Sequence, residues 1–148
     1  MKNMKPLFTL FFLATTALAF AQNSLDYGHL ITTWTQGKID PNGTVIQADA
    51  SRGGSYQLTL NQDASASFAN PFTCGSGYER QGSWNLNEKD GTLTLTFSKR
   101  VGYMNAPGTA AINKIENYKI MKLTSSELIL VLTHNGTDKI LPFIQGLH

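Results

Sequence analysis

Residues Gly82–Phe97, GSWNLNEKDGTLTLTF, alternate between apolar and polar side chains on both sides of a short turn sequence, Glu88–Gly91. Successive side chains of a strand point to opposite faces, so one face of the resulting strand pair is apolar. That face carries Trp84, Leu86, Leu93, Leu95 and Phe97. The stretch therefore predicts an antiparallel hairpin whose apolar face covers either a filled core or a pocket.

The same alternation recurs along the chain, and no long window holds a helical repeat. The other candidate strands are residues 29–36, 44–49, 54–60, 65–70, 115–123, 127–133 and 138–145. Asn61–Ala64 and residues 124–126 are candidate tight turns, and Asn135-Gly136 is a hairpin turn because both residues tolerate positive φ. Pro142 lacks a backbone donor, so its strand is bulged or at an edge there. Short strands at this spacing indicate an all-β meander, closed as a barrel or packed as a sandwich.

The lengths of the connections favour an up-and-down meander. Short turns follow Asn61, Asn87 and Leu123, whereas residues 71–81 and 99–114 read as long loops. Alternate connections of a meander lie at the same end, so the short turns should close one end of a barrel. The long loops should then share the other end, which gives the geometry of a cup.

The first residues have the pattern of a secretory signal peptide. Lys2 and Lys5 form a charged region, an apolar run follows from Leu7 to Phe20, and Ala19–Ala21 is a small-x-small cleavage site. We expect cleavage near Ala21, export to the periplasm or the extracellular space, and one domain over residues 22–148. No later segment is long and apolar enough to predict a membrane span.

Charge and cysteine content narrow the class of protein. Without Lys2 and Lys5, ten basic residues face ten acidic ones, so there is no electrostatic case for nucleic acid or an anionic membrane. Cys74 is the only cysteine, which excludes an internal disulfide framework. Its thiol is either buried and inert, or exposed and available for an intermolecular bridge.

The segment 127–132, ELILVL, is apolar on both faces. Leu128, Leu130 and Leu132 face one way, and Ile129 and Val131 face the other, so both faces require cover. The outer face could lie under the N-terminal segment, a loop or a partner subunit. A monomer or a weak homodimer is expected.

Four segments together resemble the lipocalin-like domains of small exported bacterial proteins. Leu30–Trp34, LITTW, stands where such domains begin, and YQLTLNQDASASF, GSWNLNEKDGTLTLTF and YKIMKLTSSELILVL resemble their successive hairpins in order and spacing. The resemblance spans about Leu30 to Thr133. It implies an antiparallel barrel of about eight strands with a central cavity, and it implies no single activity.

Catalytic and metal-binding patterns are weak. His29, His134 and His148 show no ligand spacing, and there is no Gly-x-Ser-x-Gly elbow or phosphate-binding glycine loop. Cys74 and His134 could form a thiol–imidazole pair only if the fold brought them together with a third orienting group. We therefore expect no metal, no cofactor and no enzymatic activity.

Aromatic residues on the predicted strand faces are the best signal for a site. They either pack as an ordinary core or line a cavity for a small apolar or amphipathic ligand. An arginine at the rim could hold a carboxylate by a bidentate contact. The candidate ligand-binding residues are Trp34, Tyr56, Phe68, Trp84, Phe97, Tyr118, Arg80, Arg100 and Tyr103. The alternative is a filled barrel that contacts a protein or carbohydrate partner through its long loops.

Overall fold

The computed structural model describes residues 25–48, 55–69, 76–104 and 108–146, and these ranges fold almost entirely into strands. They hold a short 3₁₀ turn, Tyr27–Leu30, and no helix long and apolar enough to cross a membrane. The predicted leader, residues 1–21, and Cys74 lie outside them. The strands are β1 Thr33–Ile39, β2 Val45–Gln47, β3 Gln57–Leu60, β4 Ser65–Ala69, β5 Ser76–Asn87, β6 Thr92–Met104, β7 Gly108–Leu123, β8 Glu127–His134 and β9 Thr137–Gln145.

The strands form a closed antiparallel barrel. From β3 to β9 each strand pairs with the next along the chain, and β1 pairs with both β3 and β9. The closing ladder places Trp34 opposite Gln145 and Gln36 opposite Phe143. Eight strands complete the ring, and β2 is an additional strand paired with β1. The prediction of an up-and-down β-barrel of about eight strands is confirmed.

One end of the barrel is closed by short turns. The turns at residues 61–64, 88–91 and 124–126 share this end because they are alternate connections of the meander. The 3₁₀ turn covers the same end, where the hydroxyl of Tyr27 donates to the carbonyl of Glu88 at 3.2 Å. Trp34 Nε1 donates to the carbonyl of Leu30 at 3.1 Å, and both side chains are fully buried. The predicted tight end is confirmed.

Inward-facing side chains fill the closed half of the barrel. Alternate residues of the strands are buried because each strand presents one face to the interior. Burying each of these large apolar side chains contributes about 1.5–3 kcal/mol. The largest fully buried side chains are Trp34, Phe97, Phe143, Leu30, Leu58, Leu60, Leu93, Leu95, Leu128 and Leu130.

The prediction of two long loops is wrong wherever the structure describes those residues. Residues 76–81 belong to β5, and most of residues 99–114 belong to β6 and β7, with Ser76 opposite Met104 and Gly102 opposite Gly108. These strand ends extend beyond the paired parts of β4 and β8. Few apolar residues alternate there because little core lies behind them, so the sequence lacks the pattern that marks a strand.

Outside the ring, β2 is tied to the start of β8. The backbone N–H of Val45 donates to Glu127 Oε1 at 2.7 Å, and Lys122 forms an ion pair with the same carboxylate. Hydrogen bonds from Lys122 and Val45 hold the pKa of Glu127 below its ordinary value. Ile129 and Val131 on the outer face of β8 are half-buried. The oligomeric state stays a prediction.

Candidate functional site

A cavity of about 270 Å³ lies toward the end of the barrel opposite the short turns. Inward-facing residues of β1, β4, β5, β7, β8 and β9 line it, together with Tyr56 just before β3. Its apolar and aromatic lining is Tyr56, Phe68, Tyr78, Tyr118, Leu132 and Leu141. Its polar lining is Gln36, Arg80, Lys114, Glu116 and Lys139.

The cavity is short because the barrel is filled beneath it. Phe68 in the cavity wall packs edge-on against the fully buried Phe143, with ring centroids 6.5 Å apart and planes at 86°. Phe97 and Trp34 occupy the interior of the closed half and are also fully buried. The barrel therefore divides into a packed base and an open cup.

Three donors converge on one carboxylate in the wall of the cup. Glu116 Oε1 accepts from Arg80 Nη1 at 2.9 Å and from Lys114 Nζ at 2.8 Å. Its other oxygen, Oε2, accepts from the hydroxyl of Tyr118 at 2.6 Å. The side chains of Arg80 and Glu116 are 12% and 8% exposed, so this ion pair is largely shielded from water, whereas Lys114 is 57% exposed. Short charge-assisted hydrogen bonds of this kind are among the strong ones in proteins.

The protonation states of this cluster follow from its contacts. Burial alone would raise the pKa of Glu116, but hydrogen bonds from Lys114, Tyr118 and Arg80 outweigh it and hold that pKa below its ordinary value. Burial and the neighbouring carboxylate raise the pKa of Tyr118. At neutral pH, Glu116 is therefore an anion and Tyr118 is a neutral donor.

Aromatic rings hold the guanidinium of Arg80 in place. Its central carbon lies 4.3 Å from the ring centroid of Phe97 and 4.8 Å from that of Phe68. The sheet register explains the second contact, since Phe68 and Arg80 are directly opposite each other on β4 and β5. Cation–π contacts are worth about 0.5–2 kcal/mol each, so Arg80 is a fixed part of the wall.

Among the residues that the structure describes, the lining of the cup carries more positive than negative charge. These residues supply three cationic side chains, those of Arg80, Lys114 and Lys139, and one carboxylate, that of Glu116. Lys139 is exposed, faces Leu132 across the β8–β9 ladder, and forms no ion pair with any residue in the described ranges. It is a cation at the cup that an anionic group can approach.

Two tyrosines sit in the exposed part of the cup. The ring of Tyr56 stacks on Phe68, with centroids 5.5 Å apart and planes at 28°. The guanidinium carbon of Arg100 lies 5.0 Å from the ring centroid of Tyr78. Tyr56 remains 43% exposed and Tyr78 remains 47% exposed, so both rings keep surface available to a ligand.

The structure brings four of the nine predicted ligand-binding residues into the cup: Tyr56, Phe68, Arg80 and Tyr118. Trp34 and Phe97 lie in the packed base. Trp84 lies near the closed end, where its Nε1 donates to the carbonyl of Asn61 at 2.9 Å. Arg100 contacts the cup through Tyr78, and the side chain of Tyr103 lies outside the described part of the structure. Arg80 and Arg100, expected in or beside loops, are on strands.

Apart from Arg80, sequence reasoning did not assign the polar residues of the cup to a site. Lys114 and Glu116 share the inward phase of β7 with Tyr118 and Ile120, both of which are buried. The sequence signal that could have identified them is a polar residue at a strand position where the alternation predicts a buried side chain. Lys139 lies on the same face of β9 as Leu141 and Phe143.

A second depression of about 490 Å³ lies against β4, β5 and β6. Its lining is mostly small or polar and includes no aromatic side chain among the residues that form it: Asn61, Ser65, Ala66, Ser67, Glu79, Gln81, Gly82, Ser83, Thr96, Ser98 and Lys99. Ligand sites are mostly apolar cavities with a few convergent polar groups. The cup combines aromatic and apolar side chains with convergent polar groups, whereas this depression has no aromatic side chain in its described lining.

Metal-binding residues do not cluster in the described ranges, where no group of three or more histidine, cysteine or acidic side chains could hold an ion. Cys74 and His148 lie outside those ranges.

Comparisons with protein-family models, with curated proteins and with solved structures each found no match.

Proposed function

We propose that this protein is an exported, lipocalin-like barrel that binds a small amphipathic molecule with a negative charge in the cup. The observation that carries the proposal is the lining of the cavity, in which an aromatic and apolar wall is combined with three cations and one carboxylate. An apolar wall gives affinity by burying ligand surface, and a few placed charges give orientation.

Lys139 is the group best suited to meet the charge of the ligand. Arg80 and Lys114 already share the carboxylate of Glu116, whereas Lys139 has no such partner among the residues described. A lysine, rather than a rim arginine, is therefore proposed to bind the anionic group of the ligand. Because Lys139 is exposed, we expect salt to weaken the interaction.

The size of the cup restricts the ligand to a compact molecule. Its volume of about 270 Å³ is near the lower limit of about 300 Å³ for ordinary ligand pockets. Trp34, Phe97 and Phe143 fill the barrel beneath it. Each 100 Å² of apolar ligand surface buried contributes about 2.5 kcal/mol before the costs of association, so we expect modest affinity.

A filled barrel that binds a macromolecular partner is the second candidate. The packed base favours it, because large apolar side chains are fully buried there and fill the interior. The contact surface would then be the projecting ends of β5, β6 and β7, since the residues expected to form loops are paired strands. Both candidates are binding functions, and neither requires a catalytic group.

Fluorescence titration with dansylglycine, a small aromatic carboxylate, tests the proposal. We expect saturable binding to the wild-type protein that weakens as salt is added. Lys139→Glu should weaken binding about 5- to 10-fold. Lys89→Glu is the matched control, because this exposed lysine lies in the turn at the closed end and the net charge changes equally.

The two variants separate a local contact from a general charge effect. Binding by Lys89→Glu should stay within twofold of the wild type. Absence of saturable binding to the wild-type protein would remove the small-molecule proposal and leave the partner-binding candidate. Equal weakening by both variants would show that Lys139 does not contact the ligand.

A further inference from the structure

We infer that the cup selects planar aromatic anions over flexible aliphatic ones, an inference that rests on the proposed function. The selecting groups are Tyr56 and Tyr78, whose rings both line the cavity. Each ring is supported by a neighbour and each is still nearly half exposed. Flat ligands can stack on such rings, because offset stacking of aromatic planes adds to the burial of area.

The first ring is held in place by the wall beneath it. Tyr56 stacks on Phe68 at a centroid distance of 5.5 Å, and Phe68 in turn packs edge-on against the fully buried Phe143. Arg80 lies over Phe68 at 4.8 Å. Phe68 is therefore fixed by three neighbours, and Tyr56 rests on a rigid support.

The second ring belongs to the extended part of β5. Arg100 lies 5.0 Å from the centroid of Tyr78, and Tyr78 is opposite Gly102 on β6. A glycine opposite the ring leaves its surroundings open, which agrees with its 47% exposure. Tyr78 therefore offers the cavity a second partly exposed flat surface in addition to that of Tyr56.

The packed base works against a long aliphatic chain. An extended chain needs a deep apolar tunnel to bury its surface, but Trp34, Phe97 and Phe143 occupy the barrel below the cup. The chain would have to fold within about 270 Å³ or project into water. Ordering a flexible chain also costs conformational entropy that a rigid ring system does not lose.

Isothermal titration calorimetry with two carboxylates tests the selectivity. Naphthoate and undecanoate have the same number of carbon atoms and the same charge, but only naphthoate is planar. We expect naphthoate to bind at least about tenfold more tightly, and naphthamide, which lacks the charge, to bind more weakly than naphthoate.

Matched variants assign the selectivity to the rings. Tyr56→Leu and Tyr78→Leu should each weaken naphthoate binding about 2- to 10-fold and weaken undecanoate binding by a clearly smaller factor. Tyr56→Phe and Tyr78→Phe retain the ring and should bind naphthoate as the wild type does. Circular dichroism of each variant checks that the barrel is intact.

The outcomes distinguish this inference from the proposed function. If undecanoate binds as tightly as naphthoate, or if the leucine variants weaken both ligands equally, ring selection is wrong and anion binding stands. If neither carboxylate binds the wild-type protein, the proposed function fails and the inference fails with it.

Discussion

Replacing Glu116 by Gln removes the one carboxylate among the described residues of the cup and leaves three donors without their shared anion. The side chains of Arg80 and Glu116 are 12% and 8% exposed, so the guanidinium stays largely shielded from water after the substitution. Removing one partner of a buried ion pair costs about 3–5 kcal/mol, because the remaining charge has no compensation. Most of the effect should therefore come from Arg80.

The other two contacts add little to this cost. Lys114 is 57% exposed, and an exposed pair is worth about 0–1 kcal/mol. The glutamine carbonyl can still accept one hydrogen bond, either from Tyr118 or from Arg80. Because Arg80 also keeps its aromatic contacts, we expect Glu116→Gln to lower the free energy of unfolding by about 3 kcal/mol at neutral pH, the lower end of that range.

The effect should depend on pH in one direction. The pKa of Glu116 in the folded protein is below its ordinary value of 4.5. A lowered pKa gives stability that is fully present above the ordinary value and is lost as the pH falls through the folded-state value. The difference between the wild type and Glu116→Gln should therefore be greatest at neutral pH and should shrink below about pH 4.5.

Urea unfolding followed by the fluorescence of Trp34 and Trp84 measures these free energies. Lys114→Ala is the control for the exposed contact and should cost less than about 1 kcal/mol. The double variant Arg80→Met with Glu116→Gln should be more stable than Glu116→Gln alone, because no unpaired buried charge remains.

Three results would contradict this reasoning. Glu116→Gln could unfold within about 0.5 kcal/mol of the wild type at neutral pH, as ordinary surface substitutions do. Its deficit could grow as the pH falls. The free energy of unfolding of the double variant could fall by the sum of the losses measured for Arg80→Met and Glu116→Gln alone, which would mean that Arg80 and Glu116 contribute independently.

Two further substitutions test the packing of the barrel. Gly82→Ala would place a Cβ atom 1.9 Å from the backbone carbonyl oxygen of Thr96, which cannot rotate away, so the urea midpoint should fall by the equivalent of about 2–3 kcal/mol. Ser83→Ala, at an exposed neighbouring position, is the control and should leave the midpoint unchanged. An unchanged midpoint for Gly82→Ala would refute the contact. Trp34→Phe removes the 3.1 Å hydrogen bond to the carbonyl of Leu30 and leaves a space in the packed base, so thermal unfolding should show that the free energy of unfolding falls by about 2–3 kcal/mol. A fall of less than about 1 kcal/mol would mean that the base repacks.

Local alternation determined most of the strands of this protein. The hairpin Gly82–Phe97 and the segment 127–133 were predictable because each strand there has an apolar inner face, and burial of that face fixes the register. Turn residues gave the positions of the hairpins, including Asn135, which has a positive φ of 51°. The closed end followed from connection lengths alone.

The cup was less predictable because several of its inward-facing residues are polar. Lys114 and Glu116 stand on the buried phase of β7, but a sequence does not show whether a polar residue there meets a partner or water. A bulge at Ser98 also resets which side chains of β6 face inward, and this bulge has no apolar signature. Arg80 was expected at a rim rather than against Phe97 because residues 71–81 were interpreted as a loop.

The sequence by itself determined an all-β meander with one tight end, because period-two alternation and turn chemistry are local properties. Only the tertiary structure decided that β1 closes on β9, that Trp34 and Phe97 fill the base, and that Arg80 meets Glu116 across the wall. Those contacts join residues far apart in the chain. They depend on how many strands close the ring and on where bulges shift its register, and no local pattern contains either quantity.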